Sequence, residues 1–154
     1  MKIIAAAMLT AALALPAGEP AGFHVWTSPE LKGYAKSLAP KLNEKHAASE
    51  VLSRLNGYHF EIAYREGSGD GEWHEKEADI FFVQSGEATL VYGGELDGAT
   101  TTTAPGQKRS ASIRGGMEKK ITAGDVVTIP VQTAHQMKVA PGKEITYFVV
   151  KVDR

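Results

Sequence analysis

The sequence predicts an all-β fold, a sandwich or barrel preceded by an α-helical segment, and three observations carry that prediction. From Tyr58 onward, apolar and polar residues alternate with the period of a strand, beginning with YHFEIAY. Short apolar runs then recur between Gly, Pro and Asp punctuation. Before Tyr58 the apolar residues fall at helical spacing instead.

The chain opens with MKIIAAAMLTAALALPA, which has one Lys, an apolar run from Ile3 to Leu15 and small residues at Ala14 and Ala17. Residues 1–17 therefore read as a secretory signal peptide, with a retained anchor as the competing reading. The run is shorter than the roughly twenty residues that a membrane-spanning helix needs. No later stretch is long enough either, so no stable membrane span is expected after processing. Export implies a periplasmic or secreted protein. There is no Cys, which excludes disulfides, a lipoprotein anchor and a thiol nucleophile. Stability must then rest on the core and any bound metal.

Residues 18–57 read as an N-terminal helical segment. Ser28-Pro29 looks like an N-cap followed by a helix-starting proline, and ELKGYAKSLA supplies one or two turns before Pro40. KLNEKHAASEVLSRLN, residues 41–56, places Leu42, Val51, Leu52 and Leu55 near one face with Gly57 as a stop, which predicts a second helix.

Residues 58–154 read as the barrel. The strand candidates are residues 58–64, 79–84, 87–92, 125–130, 134–139 and 144–150. The polar, turn-rich stretch from Gly93 to Gly116 is expected to be a long loop with one weak strand near Ser112 to Arg114. GSGDG, starting at Gly67, precedes a strand and lacks the helix that a phosphate cradle requires, so it is read as a hairpin turn. Tyr147 and Phe148 are adjacent on the last strand, so one faces the barrel and the other its outside. Trp73, Phe82 and Tyr92 are assigned to packing. Runs apolar on both faces, such as IFFV and YFVV, need outer cover. The N-terminal helix supplies some of it and a second subunit the rest, so a homodimer is expected.

At 154 residues, 43% of them hydrophobic, the chain can bury one sizeable core. Seventeen basic and eighteen acidic side chains nearly cancel. With no Lys/Arg cluster interleaved with aromatics, a nucleic-acid footprint is absent, and a small-molecule partner is expected.

Candidate chemistry concentrates in two places. On a strand, Glu72 and His74 project together while Trp73 points away, and Asp79 opens the next strand on the face of Phe81 and Val83, which brings its carboxylate back toward His74. In GDVVTIPVQTAHQM, Gly124 marks a turn and His135 opens another strand after Pro130. His24 and His46 read as solvated, and His59 with Glu61 as possible support behind the site. Imidazole and carboxylate donors suit divalent Zn, Fe, Mn, Ni or Cu. Two carboxylates neutralise a dication and should blunt its Lewis acidity. Alternatively one of them, Glu72 or Asp79, stays off the metal as a catalytic general base.

These spacings resemble those of the cupins. Glu72-x-His74, four residues, Asp79, six residues and Gly86 follow the first cupin motif, and Gly124, Pro130 and His135 follow the second. Glu72 stands where the family has its first histidine, Asp79 replaces its glutamate, Gln132 its second-motif glycine and Val139 its asparagine. The resemblance implies a jelly-roll barrel around one divalent metal, with Glu72, His74, Asp79 and His135 as ligands. It further implies a metal-dependent enzyme of oxygenase, isomerase or lyase type acting on a small organic molecule. A non-catalytic periplasmic module that binds a small molecule or metal is the alternative. A barrel that has lost its metal is a third reading.

Overall fold

The computed structural model describes residues 18–154; the signal peptide expected over residues 1–17 lies outside them. A helix, α1 (Ser28–Leu38), and a 3-10 turn (Ala39–Lys41) lead into the sheets. The strands are β1 (Ala47–Leu55), β2 (Tyr58–Arg65), β3 (Gly71–His74), β4 (Glu77–Tyr92), β5 (Glu95–Asp97), β6 (Thr101–Ala104), β7 (Gln107–Ser110), β8 (Ser112–Arg114), β9 (Met117–Thr122), β10 (Val126–Ile129), β11 (His135–Lys138) and β12 (Ile145–Asp153). The fold is mostly β, an antiparallel half-barrel with one N-terminal helix.

Helix α1 starts at a capping box: the Thr27 hydroxyl accepts the Glu30 N–H while the Glu30 carboxylate accepts the Thr27 N–H, with Pro29 in the first turn. It runs for 11 residues, about three turns rather than one or two. The second helix expected over residues 41–56 is absent. Its C-terminal half is β1, paired with β2 from Ala47 opposite Arg65 to Leu55 opposite Tyr58. The turn between them is Asn56-Gly57, with Gly57 at φ +84°, a strong hairpin signal. Cross-strand pairing overrides the helical spacing of Val51, Leu52 and Leu55.

The main sheet runs β1-β2-β12-β4-β11-β3-β7-β6, with β10 and β9 also paired to β4. The two strands expected at 79–84 and 87–92 are halves of β4, which changes partners at Gly86. Up to that point it pairs with β12 and β10, and beyond it with β9 and β11. Gly86 lies at φ +75°, and a Cβ there would stand 2.0 Å from the Glu144 carbonyl oxygen, so only glycine fits. The expected strands at 58–64, 125–130, 134–139 and 144–150 are β2, β10, β11 and β12.

Two further expectations fail. GSGDG is not a hairpin turn, because β2 pairs with β1 and β12 while β3 pairs with β11 and β7; the segment crosses between the two halves of the barrel. Residues 93–116 are not a long loop either. They hold β5 paired with β8, and a β6–β7 hairpin that extends the sheet edge through β3. Strand β9 exposes every residue except Ile121, so it offers no alternation to read.

The inner face packs Phe81, Val83, Leu90, Ile129, Ile145, Tyr147 and Val149 into one core, and the outer face of β2 and β12 packs Ile62, Tyr64 and Phe148 under Leu38 and its helix. Tyr147 faces in and Phe148 out, as their adjacency requires. Burying Leu38 and Ile62 completely contributes roughly 1.5–3 kcal/mol each, which is how α1 is held against the barrel. Among the described residues no helix is long and apolar enough to cross a membrane.

Candidate metal centre

Four side chains named from the sequence meet at one end of the barrel. Glu72 and His74 come from β3, Asp79 from β4 and His135 from β11, and the register sets Glu72 directly opposite His135. Asp79 Oδ2 lies 3.4 Å from His74 Nε2 and 3.3 Å from His135 Nε2, and Glu72 Oε2 lies 3.7 Å from His74 Nε2. Ligands at about 2.1 Å around a tetrahedral ion stand roughly 3.4 Å apart, so this is ligand-to-ligand spacing. Single donor atoms of Glu72, His74 and His135 all fall within 4.8 Å of one another, as do those of His74, Glu77 and Asp79.

The imidazoles are oriented from behind. His74 Nδ1 donates to the Gln107 side-chain oxygen, and His135 Nδ1 donates to the Thr133 carbonyl at 3.1 Å. With Nδ1 of each ring donating outward, both Nε2 atoms face the carboxylates. His74 Nε2 is fully buried and has no hydrogen-bond partner. Two imidazole nitrogens and two carboxylates therefore converge on one point, where a cation, or in the metal-free protein a proton on His74 Nε2, is shared among them. These residues fit a divalent ion.

Cations sit behind both carboxylates. Lys151 Nζ lies 2.8 Å from Asp79 Oδ1 and 2.9 Å from Glu77 Oε1, and Arg109 Nη1 lies 3.2 Å from Glu72 Oε1. Each carboxylate thus shares its charge with a cationic side chain as well as with whatever stands between the imidazoles. Burial pushes the Asp79 carboxyl up, but His135, His74 and Lys151 together outweigh it and hold the group well below the usual carboxylate range. Burial likewise opposes the charge on Lys151, yet Asp79 and Glu77 hold its ammonium well above the ordinary lysine value. For His74, burial and Lys151 lower the pKa, while Asp79 and Glu72 outweigh them and raise it.

The centre opens onto a cavity of about 240 Å³ walled by Glu72, Asp79, His135, Phe81, Tyr147 and Val149, among others. Four residues around the site went unnamed in the sequence. Lys151 carried a signal: it shares the inward phase of Tyr147 and Val149 in an otherwise apolar run. Glu77 reads as part of a turn, and Gln107 and Arg109 lie in the patternless polar stretch. His24 and His46 are exposed as expected. His59 bonds Glu61 at 3.2 Å and sits across the ladder from Lys151, one step removed from the four. Trp73 points away from the site, under Lys108, whose Nζ is 4.7 Å from its ring.

No protein-family model and no curated protein matches the sequence. Solved structures do. An oxalate oxidase in complex with glycolate aligns with TM-score 0.52 and 16% identity over 72% of this chain and 53% of that one, so this chain spans about half its length. TT1209 from Thermus thermophilus aligns with TM-score 0.54 and 15% identity over 77% and 93% of the two chains. Peruvianin-I, described as a cysteine peptidase from Thevetia peruviana latex, aligns with TM-score 0.55 and 12% identity over 90% and 79%. This chain has no cysteine, so likeness at this level carries architecture and not chemistry. The ladder that divides at β4, the two glycine-punctuated motifs and these neighbours together identify a cupin-type barrel with an α-helix packed on its outer face.

Proposed function

We propose that this protein is a divalent-metal-dependent enzyme acting on a small organic molecule by oxygenation, isomerisation or elimination. The observation that carries the reading is that His74 Nε2 and His135 Nε2 both stand within 3.4 Å of Asp79 Oδ2, with His74 Nε2 buried and lacking a hydrogen-bond partner. In this reading His74, His135 and Asp79 hold the ion, which supplies Lewis acidity at an open position facing the cavity. Lys151 keeps Asp79 ionised and fixed. Glu72 lines the cavity, with Arg109 on Oε1 and Oε2 3.7 Å from His74 Nε2, and it is the carboxylate that takes a proton from substrate and returns it. Phe81, Val149 and Met137 exclude water from the remaining wall.

Elemental analysis of protein purified without added metal tests the cage, with about one equivalent per chain expected. A panel of small oxygenase, isomerase and lyase substrates then tests catalysis. Glu72→Gln should keep the metal and lose turnover, whereas Asp79→Asn should lose the metal. Full metal occupancy with no turnover across the panel would favour a binding module instead. The same proposal includes export to the periplasm or medium. It also includes a homodimer formed over the uncovered outer residues Tyr58, Phe82 and Val126, and a monomer in sedimentation would remove that part.

A further inference from the structure

We infer that the cavity selects small aliphatic monocarboxylates, which Arg65 grips. The inference rests on reading this cavity as the substrate chamber of the metal centre. Four cationic side chains line it, and three are already matched to carboxylates: Lys45 to Asp70 at 2.6 Å, Arg109 to Glu72 at 3.2 Å and Lys151 to Asp79 at 2.8 Å. Arg65 is the exception: Glu72 and Asp70 are near enough to favour its charge, but neither is within ion-pair distance. Its Nε donates to the Tyr147 hydroxyl at 2.8 Å, and among the described residues neither Nη atom has a hydrogen-bond or ion-pair partner.

A half-buried guanidinium with both outer nitrogens free presents a planar fork that matches the two oxygens of one carboxylate. The bond to Tyr147 fixes the orientation of that fork before any ligand arrives, which lowers the entropy cost of binding.

The GSGDG segment, which is neither a phosphate cradle nor a hairpin turn, is the seat of this guanidinium. A Cβ on Gly69 would stand 2.8 Å from Arg65 Nη1 and 3.1 Å from Cζ, so the arginine head occupies the space that a side chain would take. The seat is pinned on both sides: Gly69 N–H donates to the Met137 carbonyl at 2.8 Å, and Gln136 Nε2 donates to the Gly69 carbonyl at 2.8 Å. One unpaired cation suits a monoanion better than a phosphate dianion. The volume of about 240 Å³, with Phe81, Val149 and Met137 in the wall, suits a short aliphatic chain.

Calorimetric titration of the full chain, metal-free and zinc-loaded, tests this with acetate, lactate and 2-hydroxybutyrate, each against its amide. At least one acid should bind with Kd below about 10 mM and at least about tenfold tighter than its amide. Arg65→Gln should abolish that preference. Gly69→Ala should weaken it by displacing the guanidinium, and both variants should take up zinc as the wild type does. If no acid binds, if acid and amide bind alike, or if Arg65→Gln keeps the preference, the inference is overturned. Failure of the metal reading is separable: a wild type that takes up no zinc yet prefers acid over amide refutes the cage and retains the anion grip.

Discussion

Asp79 and Glu72 approach the same two imidazoles from sides of unequal construction. Asp79 stands on β4, flanked by β12 and β10, with its side chain 2% exposed and its charge met by Lys151. Glu72 stands on the four-residue β3, held between β11 and the edge hairpin, with its side chain 14% exposed and its partner Arg109 43% exposed. One side of the site is built into the sheet and suits holding an ion. The other is carried by an edge and suits exchanging with what enters the cavity.

The largest effect should come from removing what both sides face. His74→Ala with His135→Ala should abolish tight metal uptake, lowering affinity by more than about 100-fold, as read by elemental analysis and competition with a chelator. Lys151→Ala comes next: it strips the buried Asp79 of its lysine partner and should cost about 3 kcal/mol in chemical denaturation of the metal-free protein. Gln107→Ala, which frees His74 Nδ1, should weaken metal binding by about tenfold. Arg109→Ala on the exposed side should cost less than about 1 kcal/mol of stability. Equal losses from Lys151→Ala and Arg109→Ala would erase the contrast between the two sides.

The pH profile sharpens the same contrast in the metal-free protein. Asp79 is held below its unfolded value of 3.8, so its contribution is present above that pH and is lost as pH falls toward the folded value. His74 is held above 6.5, so its contribution is complete below 6.5 and is lost as pH rises through the folded value. Melting temperature should therefore be highest between these limits. Lys151→Ala should reduce the fall on the acid side, and His74→Gln should remove the fall on the alkaline side.

The buried side was legible in the sequence because a strand inside a barrel must alternate. Asp79 announces itself by sharing a phase with Phe81 and Val83, and His74 and His135 by their distances from Gly86 and Gly124. Lys151 obeys the same rule, but a lysine near the end of a strand resembles a solvated one. On the edge side only Glu72 was legible, from its place two residues before His74. Gln107 and Arg109 reach the site through pairing of β7 with β3, a long-range register that a polar stretch rich in threonine and glycine does not encode locally. The false helix over residues 41–56 has a related cause, since the partner of β1 decides its conformation. The Asn56-Gly57 turn was the local clue.

The ladder that joins β2 to β12 pairs Tyr58 with Val152 and brings Lys151 against β4 from more than seventy positions away. Until β12 has been made, the Asp79 carboxylate lacks Lys151 and β4 lacks the strand that joins it to β2. A nascent chain therefore has little to gain by collapsing early around the site, and folding should be slow and concerted, as in other proteins dominated by distant contacts.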